Sequence, residues 1–315
     1  MKSMIKHMLS TAMLLMALVV NVQANTTDTN QMTTKEHYQN ELANASAQIE
    51  HALQKGPRSI PILNLATLNL PDGYGFVPAK ETKNYFQLLG HKNMDNVVGM
   101  VVSTKEEESH WLVLISYVSS GHIMDDDAKN WNSDDLLKSL QEGTKASNEV
   151  RKERGFPALN ILGWISKPHY DAQTNRLEWS IKALQEGHSM DEATINYNTL
   201  ALSKEGYISM NLATDINKIE DDKSVPKTLL AALNFNEGNR YSDFNAKTDK
   251  IAEYGLAALI TGVAAKKLGL IALIGAFLLK FSKIIIAAVV GIGFYITKRK
   301  KKNPTNTDKD KNQEP

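Results

Sequence analysis

A chain of 315 residues with 42% hydrophobic and 23% charged content can bury a core of ordinary size and still carry segments outside it. It contains no cysteine, which excludes thiol catalysis, cysteine-held metals and a disulfide framework. The formal charge is only +1 and the cations gather near the C-terminus, so nucleic acid is not an expected partner.

Lys2 and Lys6 precede the apolar run Met8 to Val20, and Val22-Gln23-Ala24 supplies a small-residue cleavage pattern, so residues 1–24 read as a secretory signal peptide. Residues 25–55 follow as a flexible segment and an amphipathic helix. Thr33 and Glu36 offer a capping box, Tyr38, Leu42, Ala45, Ile49 and Ala52 recur at helical spacing, and Gly56-Pro57 stops the helix.

Residues 56–247 read as an exported domain. Strands are expected over Ile60 to Leu70, Val97 to Val102 and Trp111 to Tyr117, with a short helix over Glu81 to Leu89. Asp134 and Asp135 open a long helix, Leu136 to Arg154, which Arg151, Lys152 and Arg154 close; each charge has the sign that the helix dipole favours at its end. Leu159 to Ile165 follows as a strand. Leu177, Trp179 and Ile181 alternate with polar residues, and Ile195 to Leu202 pairs with Tyr207 to Ala213 about the turn Ser203-Lys204-Glu205-Gly206. Pro226 falls in the first turn of a helix capped by Ser224 and reaching Leu233. Asn236 to Asn245 closes the domain, and residues 248–267 are expected as one juxtamembrane helix. The class is α+β, a largely antiparallel sheet with packed helices, flanked by the signal peptide and a C-terminal transmembrane helix.

That last helix lies in residues 268–297, where apolar runs from Leu268 to Leu279 and from Ile284 to Thr297 are separated by Lys280 and Lys283. Each run is short for about 30 Å of hydrocarbon. Three arrangements answer this: the lysines snorkel to one interface, they hide between self-associated helices, or they mark a hairpin turn. Residues 298–315 open with five cations, Lys298 to Lys302, and read as a basic, disordered cytoplasmic tail, which argues against the hairpin.

Asp125-Asp126-Asp127, after Gly121-His122, is the densest acidic cluster, and oxygen ligands of this kind suit calcium or magnesium. Lys129 stands where a calcium loop wants another oxygen, and no glycine follows at the right spacing, so no metal is assigned; the competing reading is a solvated turn. His169 beside Asp171, with His122 and Ser166, has the residue types of a nucleophile, base and orienter but no nucleophile elbow. Its alternative is a loop in which Pro168, Tyr170 and Asp171 fix a turn and Trp164 packs in the core. Arg240-Tyr241-Ser242-Asp243-Phe244 offers a cation and aromatics for headgroups or a partner, or else a final strand completing the core. The catalytic candidates are thus His122, Asp125, Asp127 and His169, and the binding candidates Trp164, Tyr170, Asp171, Arg240 and Tyr241. His37, His51, His91, His110 and His188 lack zinc spacing, and without a glycine-rich phosphate loop no cofactor is expected.

Gly121 to Ala128, Gly155-x-Pro157 to Trp164, Pro168-x-Tyr170-Asp171 with Arg176-Leu177-x-Trp179, Asn196-Tyr197, Arg240-Tyr241-x-Asp243-Phe244 and Thr248-Asp249-Lys250-x-Ala252-x-Tyr254-Gly255 together resemble a family of uncharacterised bacterial membrane-anchored proteins, a domain of unknown function. The resemblance covers most of the mature chain. It implies an envelope protein with a C-terminal anchor and supplies no activity. The expectation is a non-enzymatic protein of the bacterial inner membrane, its domain on the periplasmic side and its tail in the cytoplasm, in contact with the bilayer and with an envelope protein, a ligand or copies of itself. The other expectation is a metal- or carboxylate-dependent hydrolase of envelope material.

Overall fold

The structure is a computed structural model, which describes residues 28–89, 91, 94–105, 111–153 and 157–262. The expected signal peptide (1–24), anchor (268–297) and tail (298–315) lie outside the described residues. Among those described, no helix is long and apolar enough to cross a membrane.

Helix α1 spans Asp28–Ala52. It is already under way before Thr33, so that residue is interior rather than a cap. Ala45 and Ile49, four residues apart, are the positions it buries, as the periodicity predicts. The chain then enters β1 (Gln54–Lys55), β2 (Arg58–Ile62), β3 (Ala66–Leu70) and β4 (Tyr74–Pro78). Ile60 to Leu70 is therefore a hairpin, not one strand. Leu63 has φ 53° and the Leu65 N–H donates to the Ile62 carbonyl at 3.2 Å, which reverses the chain in the middle of the apolar run. Helix α2 (Ala79–Leu88) buries Tyr85 and Phe86, and β5 (Val97–Ser103) and β6 (Leu112–Val118) follow as expected.

Helix α3 (Ser133–Glu153) leads to β7 (Leu159–Asp171) and β8 (Arg176–Gln185), then to the hairpin β9 (Thr194–Ser203) and β10 (Gly206–Asp215). Strand β7 continues through Ser166-Lys167-Pro168-His169-Tyr170, where a loop was expected. Register shifts between Ile161 and Gly163 and on either side of Ser166 admit the proline without ending the strand. Helices α4 (Ile219–Asp222) and α5 (Ser224–Ala232) adjoin. Ser224 is accordingly the first residue of α5, and Lys223 before it makes no side-chain cap. Strand β11 (Leu233–Phe235) was not foreseen, and Tyr241–Asp243 is a 3-10 turn where a strand was one reading. The expected helix over 248–267 is reduced, among described residues, to α6 (Leu256–Thr261), for reasons that lie in the site described below.

The strands form an eight-stranded sheet in the order β1-β4-β5-β6-β10-β9-β8-β7, every neighbouring pair antiparallel, and a three-stranded sheet β11-β3-β2. The molecule is thus α+β with a large antiparallel sheet and packed helices. On one face, Ile60, Leu68 and Leu70 of the small sheet and Leu229 and Leu230 of α5 meet Val113, Ile115, Met210 and Leu212. The opposite face carries two helical layers: α1 and α2 over Val77, Met100 and Leu114, and α3 with α6 over Leu177, Trp179 and Leu200.

Strand β7 is a long outer edge, and α3 covers its first half. The Asn148 amide donates to the Leu159 carbonyl and accepts from the Leu159 N–H, both at 2.9 Å, while Gln141 donates to the Ile161 carbonyl at 3.0 Å. Side chains of a packed helix here occupy backbone groups that would otherwise template another strand.

Candidate functional site

At one end of the large sheet β6 terminates, β10 begins, and the β7–β8 turn lies nearby. The loop after β6 runs through Gly121-His122-Ile123 to the acidic residues, and the chain returns to it from more than a hundred residues away. The His122 N–H donates to the Lys250 carbonyl at 2.7 Å and its carbonyl accepts from the Ala252 N–H at 2.8 Å, a parallel bridge between His122 and Ile251. These bonds hold residues around 250 extended, so no helix can run through them. Gly121 permits the approach: its φ is 93°, and a Cβ there would stand 2.8 Å from the Lys250 carbonyl oxygen.

The carboxylate of Asp127 accepts the N–H of Leu256 at 3.1 Å on one oxygen and that of Ala257 at 2.9 Å on the other. It therefore caps α6 from a remote point in the chain, and this is what starts the helix at Leu256. Gly255 makes room for it, since a Cβ there would lie 2.6 Å from a carboxylate oxygen. Asp125 accepts the phenolic hydrogen of Tyr170 at 2.8 Å, and Asn175 donates to the same phenol oxygen at 3.2 Å. Burial first, and the neighbouring Asp125 as well, raise the Tyr170 pKa, so this phenol stays protonated and donates.

His122 is 5% exposed and lies between two rings, Tyr241 at a centroid distance of 4.2 Å and Phe244 at 3.8 Å. Its Nδ1 is buried without a hydrogen-bond partner. Burial lowers its pKa; the Lys204 backbone hydrogen bond and the carboxylates of Asp125 and Asp249 work against that shift. The Tyr241 hydroxyl donates to the Ile123 carbonyl at 2.7 Å. Asp249 accepts the Asn245 N–H at 2.7 Å, which more than anything keeps its carboxyl below the usual range, and pairs with Lys204 at 3.3 Å.

Of the residues singled out in the sequence, His122, Asp125, Asp127, Tyr170 and Tyr241 are thus brought together. The others stand apart from that cluster. His169 neighbours Tyr170 in β7 and points to the other face, where it is exposed opposite Glu178. Asp171 holds the β7–β8 turn: Thr174 donates to it at 2.7 Å and the Gln173 N–H at 2.9 Å, lowering its pKa. Trp164 packs beneath α3 and donates from its indole to the Ser133 carbonyl at 3.0 Å. The Arg240 side chain is exposed, while its backbone bridges Ser203 and donates to Asp243 at 2.9 Å. Among the described residues no three His, Asp or Glu side chains stand close enough to hold a metal ion together.

Sequence reasoning missed Lys204 and Phe244 as members of the cluster. Lys204 read as a turn residue and Phe244 as one of the aromatics that either met headgroups or a partner or completed the core, and nothing in their neighbours signalled a histidine across the fold. What the cluster does chemically is fasten. Its acids accept hydrogen bonds, its aromatics enclose an imidazole, and the segment fastened is the one that leads towards the C-terminal apolar stretch.

A solved structure similar to the chain is cyanobacterial PsbP (CyanoP) from Synechocystis sp. PCC 6803, at 11% identity over 59% of this chain and 93% of that one, with a TM-score of 0.35. A likeness of that size carries no argument about fold or function. No curated protein matches the chain. A family model does match, over residues 54–293, which takes in every strand from β1 to β11 together with the cluster around His122; the chain belongs to the family described as Protein of unknown function (DUF2167).

Proposed function

We propose that this is an exported envelope protein of the bacterial inner membrane, held there by residues 268–297, whose periplasmic domain binds a protein partner or ligand and whose tail is cytoplasmic. The observation that supports it best is the Asp127 cap on α6. With Asp125, Tyr241 and the His122 bridge, it ties the domain to the start of α6, on the way to the apolar stretch. Such a connection suits a domain that must be presented at a set height and orientation over a bilayer.

The hydrolase reading is weaker on the same evidence. Both oxygens of Asp127 are engaged by backbone N–H groups, and His169 lies on the far face of β7. The test is crosslinking in intact cells with mass spectrometry, run on the full-length protein and on a secreted form ending at Gly262. One partner captured by both forms is the expected result, because recognition is assigned to the domain. A partner captured only by the full-length form would move recognition to the apolar stretch, and capture by neither would count against a protein partner.

A further inference from the structure

His122 grips one segment of the chain from two sides. Between β11 and α6, residues 236–255 cross the end of the large sheet as a strap whose regular structure is limited to the 3-10 turn Tyr241–Asp243 and single bridges. The imidazole lies between the strap's Tyr241 and Phe244 rings, and the backbone of the same histidine holds Lys250 and Ala252. The strap's other ties near this point are single bonds, from Tyr241 to Ile123, Arg240 to Ser203, and Asn239 and Asp249 to Lys204.

A neutral imidazole has one donor and one acceptor nitrogen, whereas an imidazolium has two donors. At His122 a backbone hydrogen bond at Lys204 serves one nitrogen, and Nδ1 is buried without a partner. A proton arriving there makes a buried, charged donor that has no acceptor. The two ring faces attract a cation, and Asp125 on the loop after β6 and Asp249 on the strap also favour the proton. Both carboxylates are committed elsewhere, Asp125 to Tyr170, and Asp249 to the Asn245 N–H and to Lys204 of the β9–β10 turn. Asp126, Glu205, Arg240 and Lys250 are exposed, and the Tyr241 phenol, pushed up by burial, stays neutral. Burial outweighs the groups that favour the proton, so the ring holds its neutral form more firmly than a free histidine does.

We propose that His122 is an acid-sensitive latch: a proton gained at its imidazole releases residues 240–252 from the end of the sheet while the sheet stays folded. Once released, the ring returns to water and to the ordinary value of about 6.5. The latched form then binds fewer protons than the open one, so latching is fully stable above about pH 6.5 and weakens as pH falls below that value. Release stays local because no residue from 236 to 255 is fully buried, whereas the strands beneath carry the apolar clusters. What loosens is the tie between the domain and α6. The latch rests on this cluster alone and not on residues 268–297 entering a bilayer, so its failure would leave the anchor reading untouched.

Hydrogen exchange of the full-length protein in detergent, read by mass spectrometry from about pH 8 to about pH 4, tests it, with labelling times scaled to the pH dependence of intrinsic exchange. Protection of residues 240–254 should be constant above about pH 6.5 and fall severalfold by about pH 5, while β9 and β10 keep theirs. His122→Phe keeps an aromatic ring and His122→Gln keeps an amide donor; neither titrates, and both profiles should be flat over that interval. Constant protection in the native protein overturns the latch. A fall of the same size in both variants assigns the effect to carboxylates, and a fall shared by β9 and β10 is general unfolding; either result overturns it as well. The native profile decides even where a variant weakens the fold, because a fall that begins only below about pH 5, in the carboxylate range, is also incompatible with the latch.

Discussion

Replacing Asp127 by alanine isolates the cap that joins two distant parts of the chain. The substitution removes both acceptors of the Leu256 and Ala257 N–H groups, at 3.1 and 2.9 Å, from a partly buried site. Loss of a helix cap costs about 0.5–2 kcal/mol, and the partial burial places this one in the upper half, about 1–2 kcal/mol. For a domain of this size each kcal/mol lowers Tm by about 2–4 °C, so a fall of about 2–8 °C is expected. The loss should also be local. Hydrogen exchange of the full-length protein in detergent should show faster exchange from residue 250 to 261, with the strands of the large sheet unaffected at equal solvent conditions. Asp126→Ala is the comparison, because Asp126 is exposed and caps nothing in α6. Equal effects of the two substitutions on Tm and on exchange would refute the reasoning.

Gly255→Ala should reproduce much of the Asp127→Ala effect, since its Cβ would stand 2.6 Å from the Asp127 carboxylate; a double-mutant cycle should show the two to be strongly non-additive, and simple additivity would contradict the contact. Asn148→Ala leaves the N–H and carbonyl of Leu159 without their partner at a covered sheet edge, which should destabilise by about 2–4 kcal/mol and raise the tendency to aggregate, read by denaturant titration and light scattering. His122 contributes to pH dependence with a definite sign. Its folded pKa lies below the ordinary 6.5, so the stability linked to its neutral form is fully present above about 6.5 and declines as pH falls below that value. His122→Phe, which keeps an aromatic ring between Tyr241 and Phe244, should flatten stability across that acidic window; an unchanged profile would show that other groups control it.

Helices and strands were legible where local pattern and burial agree. The alternation of Leu177, Trp179 and Ile181 placed β8 correctly because each of those residues does face the same helical layer. Such reasoning broke down where long-range contacts overrule local tendency. The Ala- and Gly-rich segment after Thr248 has a helical composition, yet His122 takes its backbone at Lys250 and Ala252 and delays the helix to Leu256. Pro168 suggested a loop, whereas bulges let β7 run past it to Asp171.

The candidate site divides in the same way. Residue types marked Asp125, Asp127, His122, Tyr170 and Tyr241 as unusual, and the fold gathers all five, but chemistry by type suggested catalysis or a cation. Hydrogen-bond direction decides otherwise: an acid whose two oxygens both receive backbone N–H groups is a cap, whatever the density of acids around it. By itself the sequence determined the α+β class, the antiparallel hairpins and the residues worth watching, because periodicity and turn chemistry act over a few neighbours. Only tertiary structure decided that Asp127 serves Leu256, that Asn148 shields Leu159 and that His122 lies between two rings, because each pairing joins groups that no local spacing relates.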